Sequence, residues 1–208
     1  EVEIPNKVHS VRGPISRKVM RDMGVLCPEI FGDPALILPK VYSSKSIKKY
    51  KISIIPNLVE YDETKEYFKD LSDFNIISLR VDGKNKTKSV EDIIDSICQS
   101  EKILSSSLHG IIVAHAYGIP ATWAKLTDKM AGDGNKYHDY YNSINIEEIE
   151  PINLNEYEKN KKDIFTACET YVQPKFPLNV DKILFSCPFL ENNHALWKER
   201  YEKIDLKI

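Results

Sequence analysis

Lys102-Ile103-Leu104-Ser105-Ser106-Ser107-Leu108-His109-Gly110-Ile111-Ile112-Val113-Ala114-His115-Ala116-Tyr117-Gly118-Ile119-Pro120-Ala121-Thr122-Trp123-Ala124 is the stretch whose reading decides the fold. Lys102 to Leu104 predicts a buried strand. His109 to Tyr117 predicts a helix, because Gly118 can end it and Pro120 beyond it cannot continue it. Ala121 to Ala124 predicts the next strand. A strand, a helix and a second strand in such close succession make a βαβ crossover, and the two strands lie parallel.

The same rhythm extends upstream. Lys51 to Pro56 is a short apolar run that predicts a strand. Asp62 to Leu71 predicts a helix with Tyr67, Phe68 and Leu71 turned inward. Phe74 to Val81 predicts another strand. Ser89-Val90-Glu91-Asp92 has the spacing of a capping box, and Val90, Ile93, Ile94 and Ile97 then follow at helical spacing. Strands alternating with helices roughly every 20 to 25 residues imply a Rossmann-like α/β fold, a parallel sheet with flanking helices.

Before this region the pattern differs. Lys7 to Val11 alternates like a short strand and is broken by Arg12-Gly13-Pro14. Ser16 is placed to cap a helix that carries Val19, Met20 and Met23 and stops at Gly24. Phe31-Gly32-Asp33-Pro34 is a turn before the apolar run Ala35 to Leu38. The expected organisation is residues 1–40 as the end of one Rossmann-like half, 41–50 as a linker, 51–190 as a second Rossmann-like half and 191–208 as a helical tail. Within the second half, Asn155 to Val172 and Val180 to Phe185 read as helices, and Ala195 to Ile204 as a further helical piece. The chain begins at Glu1 in mid-pattern, and reads as a protein whose first part lies upstream.

Composition narrows the function classes. The 208 residues carry a formal net charge of −2, so no global basic field points to nucleic acid. The basic residues are dispersed, and Lys45, Lys48, Lys49 and Lys51 read as a solvated linker. No apolar run approaches the roughly 20 residues of a membrane span. Cys27, Cys98, Cys168 and Cys187 are widely separated with no C-x-x-C pair, which favours buried thiols in a reducing cytoplasm over disulfides or zinc. No metal site and no cofactor motif is legible.

In open parallel sheets, ligands bind beyond the carboxyl ends of the strands. The loop Ser105-Ser106-Ser107-Leu108-His109-Gly110 runs from a strand end straight into a helix start. Backbone N–H groups and the positive end of the helix dipole favour phosphate or carboxylate there. The serines offer hydroxyl donors, Gly110 allows close approach to the backbone, and His109 is placed to touch the anion or move a proton. Asn57 follows the first strand of the region. Gly132 to Tyr141 reads as a mobile flap in which Lys136 supplies a point charge, or as a plain loop leading into a helix. Arg12 and Arg17 bracket the Gly-Pro turn, and Arg is suited to a two-pronged grip on an oxyanion. Arg80 is a weaker candidate, and His115 reads as a core or surface histidine.

Several of these stretches together resemble the polysaccharide pyruvyl transferase family: Val11 to Arg17, Gly32 to Ala35, Ser105 to Pro120, and Lys136 to Ile144 with its Asp139-Tyr140-Tyr141. The similarity covers the chain from about Val11 to Ile144. The resemblance implies a GT-B-like arrangement of two Rossmann-like halves, phosphoenolpyruvate as donor substrate, and a glycan or lipid-linked saccharide as acceptor, with no further cofactor. It implies donor-binding or catalytic roles for Arg12 and His109. Arg17, Asn57, Ser105, Ser106, Ser107, Leu108, Gly110 and Lys136 are the accompanying candidates for substrate binding. Ser107 stands where some members carry Arg, and Asn57 where related sequences often have His. A GT-B-type glycosyltransferase using a nucleotide sugar, or a non-catalytic glycan- or phosphate-binding remnant, would use the same helix start. Peripheral association with a membrane surface stays open at this stage, as does oligomeric state.

Overall fold

The structure is a computed structural model and describes residues 5, 7–71, 74–81, 89–126, 133–157, 163–169 and 180–188. The chain divides into two compact units, one made of Glu1–Ser43, Gly134–Ile149 and Lys175–Ile208, the other of Ser44–Asp133 and Glu150–Pro174. The sequence reading ran one continuous half from residue 51 to 190. By contacts, two later stretches instead group with the first forty residues.

The second unit holds a five-stranded parallel sheet: β1 (Tyr50–Ile55), β2 (Phe74–Ile76), β3 (Ser100–Ser105), β4 (Ala121–Lys125) and β5 (Ile152–Asn153), in the spatial order β2-β1-β3-β4-β5. Every pairing is parallel, as the βαβ rhythm predicts. Its helices are α3 (Tyr61–Tyr67), α4 (Val90–Cys98), α5 (Leu108–Ala116) and α7 (Asp163–Glu169). The core forms where Ile52, Ile54, Phe74 and Leu104 of the strands meet Phe68, Ile164 and Cys168. Side chains of this kind contribute about 1.5–3 kcal/mol each when fully buried. Burial also pushes the Cys168 thiol up to about 12, so it behaves as a small apolar group.

Local signals placed most of these elements. The Ser89–Asp92 capping box forms, with Ser89 Oγ accepting the Asp92 N–H and the Asp92 carboxylate accepting the Ser89 N–H. Ile93, Ile94 and Ile97 are buried, whereas Val90, at the first position of the helix, is exposed. Gly118 takes a φ of +69 just past α5, the left-handed turn that ends a helix. The strand expected over Phe74 to Val81 is shorter, ending at Ile76: Ile77 gives its N–H to Ile54 O and pairing stops there. Of the helix expected over Asn155 to Val172, the described residues form a 3-10 turn at Leu154–Tyr157 and α7, and 158–162 and 170–172 lie outside the described residues. Strand β5 was not anticipated, because two residues carry no periodicity.

The first unit contains α1 (Pro14–Asp22), α2 (Leu38–Val41), α6 (Asn135–Ser143) and α8 (Val180–Phe185), with a 3-10 turn at Pro34–Ile37. The strand expected at Lys7 to Val11 reduces to one parallel bridge, Val11 to Phe31. Val19 and Met23 of α1 are exposed, so the apolar face read for this helix is not a buried one. α1 packs on α6 and α8 on the Pro34–Ile37 turn. The helical piece read at Ala195 to Ile204 lies outside the described residues.

Candidate functional site

The strand order sets the first site. From β1 the chain runs outward to β2, then crosses back to β3 on the other side of β1 and continues to β4. The reversal lies between β1 and β3, and such switch points open a crevice at the strands' carboxyl ends. Ile55 and Ser105 are in register there, so the loops after β1 and β3 lie side by side.

These two loops are tied by hydrogen bonds. Ser105 Oγ donates to Ile55 O at 2.7 Å and lies 2.9 Å from Ser107 O, while it accepts the Ser107 N–H at 3.0 Å. Ser106 N–H reaches Ile55 O at 3.2 Å. Ser106 Oγ accepts the Asn57 N–H at 3.0 Å and donates to Glu60 Oε2 at 2.5 Å. Ser105, Ser106 and Glu60 are fully buried. The two hydroxyls hold the turn together. Asn57 also opens the 3-10 turn Leu58–Glu60 by accepting the Val59 N–H through Oδ1 at 3.3 Å.

What the turn presents is the start of α5. Ser107 is its N-cap, yet makes no side-chain capping bond. Leu108 and Gly110 are buried and His109 is exposed, so the one titratable side chain of the turn faces outward. Gly110 has a different reason to be glycine than ligand approach. A Cβ there would lie 2.6 Å from Ser105 Oγ and 2.8 Å from Ile55 Cγ2, so the helix start presses directly on β1 and β3. His115, one and a half turns on, is buried with Nε2 3.3 Å from Ala121 O. Burial lowers its pKa to about 4, against a smaller opposing effect of the Ala121 carbonyl. It is the core histidine that the sequence allowed.

The second site lies within the first unit. Asp139 of α6 is buried, and its Oδ1 accepts the N–H groups of Ile15 at 2.9 Å and Ser16 at 3.0 Å. Its Oδ2 accepts the Ser16 hydroxyl at 2.5 Å and lies 3.5 Å from Arg12 Nε. Asp139 thus occupies the N-terminus of α1, the place where a helix attracts an anion. Gly13, not Ser16, is the N-cap. Arg12 Nε is buried without a hydrogen bond, although the side chain as a whole is 33% exposed, so its exposed part lies away from Nε.

Arg17 is held differently. Its Nε donates to Cys27 O at 3.1 Å and Nη1 pairs with Glu29 at 2.8 Å, so it braces the segment after α1. Lys136, in the first turn of α6, sets Nζ 5.1 Å from the Tyr137 ring centroid. Of the expected flap, 127–132 lie outside the described residues. Arg80 is exposed in the segment after β2. Sequence reasoning missed Glu60 altogether, and met Asp139 only within a quoted stretch. The signal for Asp139 was the first-turn pattern Gly13-Pro14-Ile15-Ser16, a helix start with no acidic residue of its own.

A Rossmann-like parallel sheet, with a histidine-bearing helix start at its switch point, defines the class: a Rossmann-like α/β protein. Residues 5–124 match the family described as polysaccharide pyruvyl transferase, and the chain belongs to that family. It is 30% identical over 146 residues to uncharacterized protein L143 of Acanthamoeba polyphaga mimivirus, covering 67% of this chain and 48% of that protein. It is 26% identical over 144 residues to the succinoglycan biosynthesis protein ExoV of Rhizobium meliloti (strain 1021), covering 67% of this chain and 41% of that protein. The chain thus spans about half the length of the curated relatives it matches. No solved structure matches. Among the described residues no helix is long and apolar enough to cross a membrane.

Proposed function

We propose that this chain carries part of the site of an enzyme that moves pyruvate from phosphoenolpyruvate onto a sugar of a surface or exported polysaccharide, as a pyruvyl ketal. One observation carries the reading: the family match spans residues 5–124, which include both Arg12 and the Ser105–Gly110 turn. The relation to a succinoglycan biosynthesis protein supports a polysaccharide as the acceptor.

The chemistry sets the requirements. A proton reaches the methylene carbon of the enol, a sugar hydroxyl adds to the neighbouring carbon, and a second hydroxyl displaces phosphate to close the ketal. The donor is highly anionic, so positive charge and N–H donors must hold it. Arg12 is assigned to its carboxylate or phosphate. The uncapped start of α5 is assigned to the phosphate. His109, exposed on that turn, binds the anion or delivers the proton.

His109→Ala in the full-length protein tests the assignment. Phosphate release from phosphoenolpyruvate with a glycan acceptor should fall by about 10²-fold or more, the usual cost of removing an acid–base group. The unfolding midpoint should stay that of the parent, because the side chain is exposed. Release within a few-fold of the parent would refute the role.

A further inference from the structure

We infer that Glu60 is a positioning residue for the His109 turn, acting through Ser106. The inference rests on the reading of His109 as part of the pyruvyl-transfer site.

Glu60 ends the short 3-10 turn after β1 and is fully buried. A buried carboxylate is costly unless its charge is met by hydrogen bonds. Its place is the switch point of the sheet, between the ends of β1 and β3. Its Oε2 accepts a hydrogen bond from the Ser106 hydroxyl at 2.5 Å. The Ser106 hydroxyl donates to Glu60 and accepts from Asn57 N–H.

The consequence reaches His109 through three residues of backbone. Ser106 is held on both sides, by its side chain to Glu60 and by its N–H to Ile55 O. Ser107 is held by Ser105 Oγ. The chain leaves this clamp at Ser107 and enters α5 at Leu108, with His109 as the next residue. The rotation of the first turn of α5, and so the direction of the imidazole and the N–H groups beside it, is set by the clamp. Gln at position 60 would keep the shape, but offers an NH₂ that lets the Ser106 hydroxyl reverse.

The test is a double-mutant cycle in the full-length protein, scored by kcat and KM for phosphate release from phosphoenolpyruvate. Glu60→Gln is expected to lower kcat/KM by about tenfold or more with the folded fraction, followed by urea unfolding, unchanged. In the His109→Ala background the same change is expected to cost less than twofold, because Glu60 acts through a residue already removed. A merely structural role would multiply the two losses. Ser106→Ala serves as a second variant if Glu60→Gln does not fold, with the same non-additivity expected. The ring resonances of His109, read in a carbon–proton spectrum, should also shift in Glu60→Gln. Full activity in Glu60→Gln, or additive losses, would overturn the positioning role while leaving His109 in place. Full activity in His109→Ala would instead remove the reading on which it rests, and the positioning role with it.

Discussion

Gly13 and Asp139 are in direct contact: a Cβ on Gly13 would lie 1.9 Å from the Asp139 carbonyl oxygen and 2.5 Å from its Oδ1. Gly13 has a φ of −163, extended backbone that any residue adopts, so the requirement for glycine is steric. The absent side chain lets the α6 backbone come close enough for the Asp139 carboxylate to reach the N–H groups of Ile15 and Ser16. The Arg-Gly-Pro turn, its Ser16 and the distant Asp139 are therefore one arrangement. An anion already sits on the start of α1, and it is the protein's own.

Gly13→Ala is accordingly expected to destabilise the protein. Overpacking against backbone typically costs about 1–3 kcal/mol, and more where nothing flexible can yield. Urea unfolding of the variant should show a midpoint well below that of the parent. A parental midpoint would mean that α6 shifts freely and that the contact is loose.

Gly110→Ala offers a parallel case in the sheet unit, with a control nearby. The added methyl would press on Ser105 Oγ and Ile55, so a loss of about 1–3 kcal/mol is expected together with loss of phosphate release. At Gly118 no atom lies within 4 Å of an added Cβ, and the cost is that of the φ of +69, about 1 kcal/mol. Gly118→Ala should therefore be mildly destabilised and retain activity. Equal behaviour of the two variants would show that crowding at Gly110 is not what the turn depends on.

His115 predicts a pH dependence. Its folded pKa of about 4 lies below the ordinary 6.5, so between these values the unfolded chain binds more protons. Its contribution to stability is complete above about pH 6.5 and drains away as pH falls toward about 4, on the order of 3 kcal/mol over the window. His115→Gln cannot protonate. It should flatten the fall in unfolding free energy over that window relative to the parent. Identical slopes for the two proteins would show that another group governs the acid limb.

The sheet was legible because its signals are local. A capping box at Ser89, a stop at Gly118 and alternating apolar runs each act within a few residues. What escaped the sequence is non-local. Asp139 caps a helix more than 120 residues before it, and no spacing within α1 announces which distant carboxylate will do so. Glu60 reads as one more charged residue in an acidic helix start until β1 and β3 bring it beside Ser106. Three adjacent hydroxyls suggest a ligand cradle, and at this sheet end burial also turns Ser105 to Ile55 and Ser107, and Ser106 to Asn57 and Glu60. The histidine beside them, His109, is exposed.

Arg12→Lys separates charge from geometry. Arg12 places Nε beside Asp139 on its buried side, while the exposed part of the side chain lies elsewhere. A guanidinium is planar and carries donors on more than one edge, so it faces an internal carboxylate and still offers a fork to an external one. A lysine has a single nitrogen at the end of a flexible stem. Beside Asp139 it is consumed by that pairing, and turned toward a ligand it abandons Asp139. Arg12→Lys is therefore expected to raise the dissociation constant for phosphoenolpyruvate by about tenfold or more, since a charge-assisted hydrogen bond contributes roughly 1.5–3 kcal/mol. The substitution keeps the net charge, so electrostatic steering is the same in both proteins. Calorimetric titration of phosphoenolpyruvate into the full-length variant measures the effect, with urea unfolding recorded alongside to confirm that α1 and α6 stay together. An unchanged dissociation constant in a fully folded variant would place Arg12 outside the donor site and leave it the purely structural partner of Asp139.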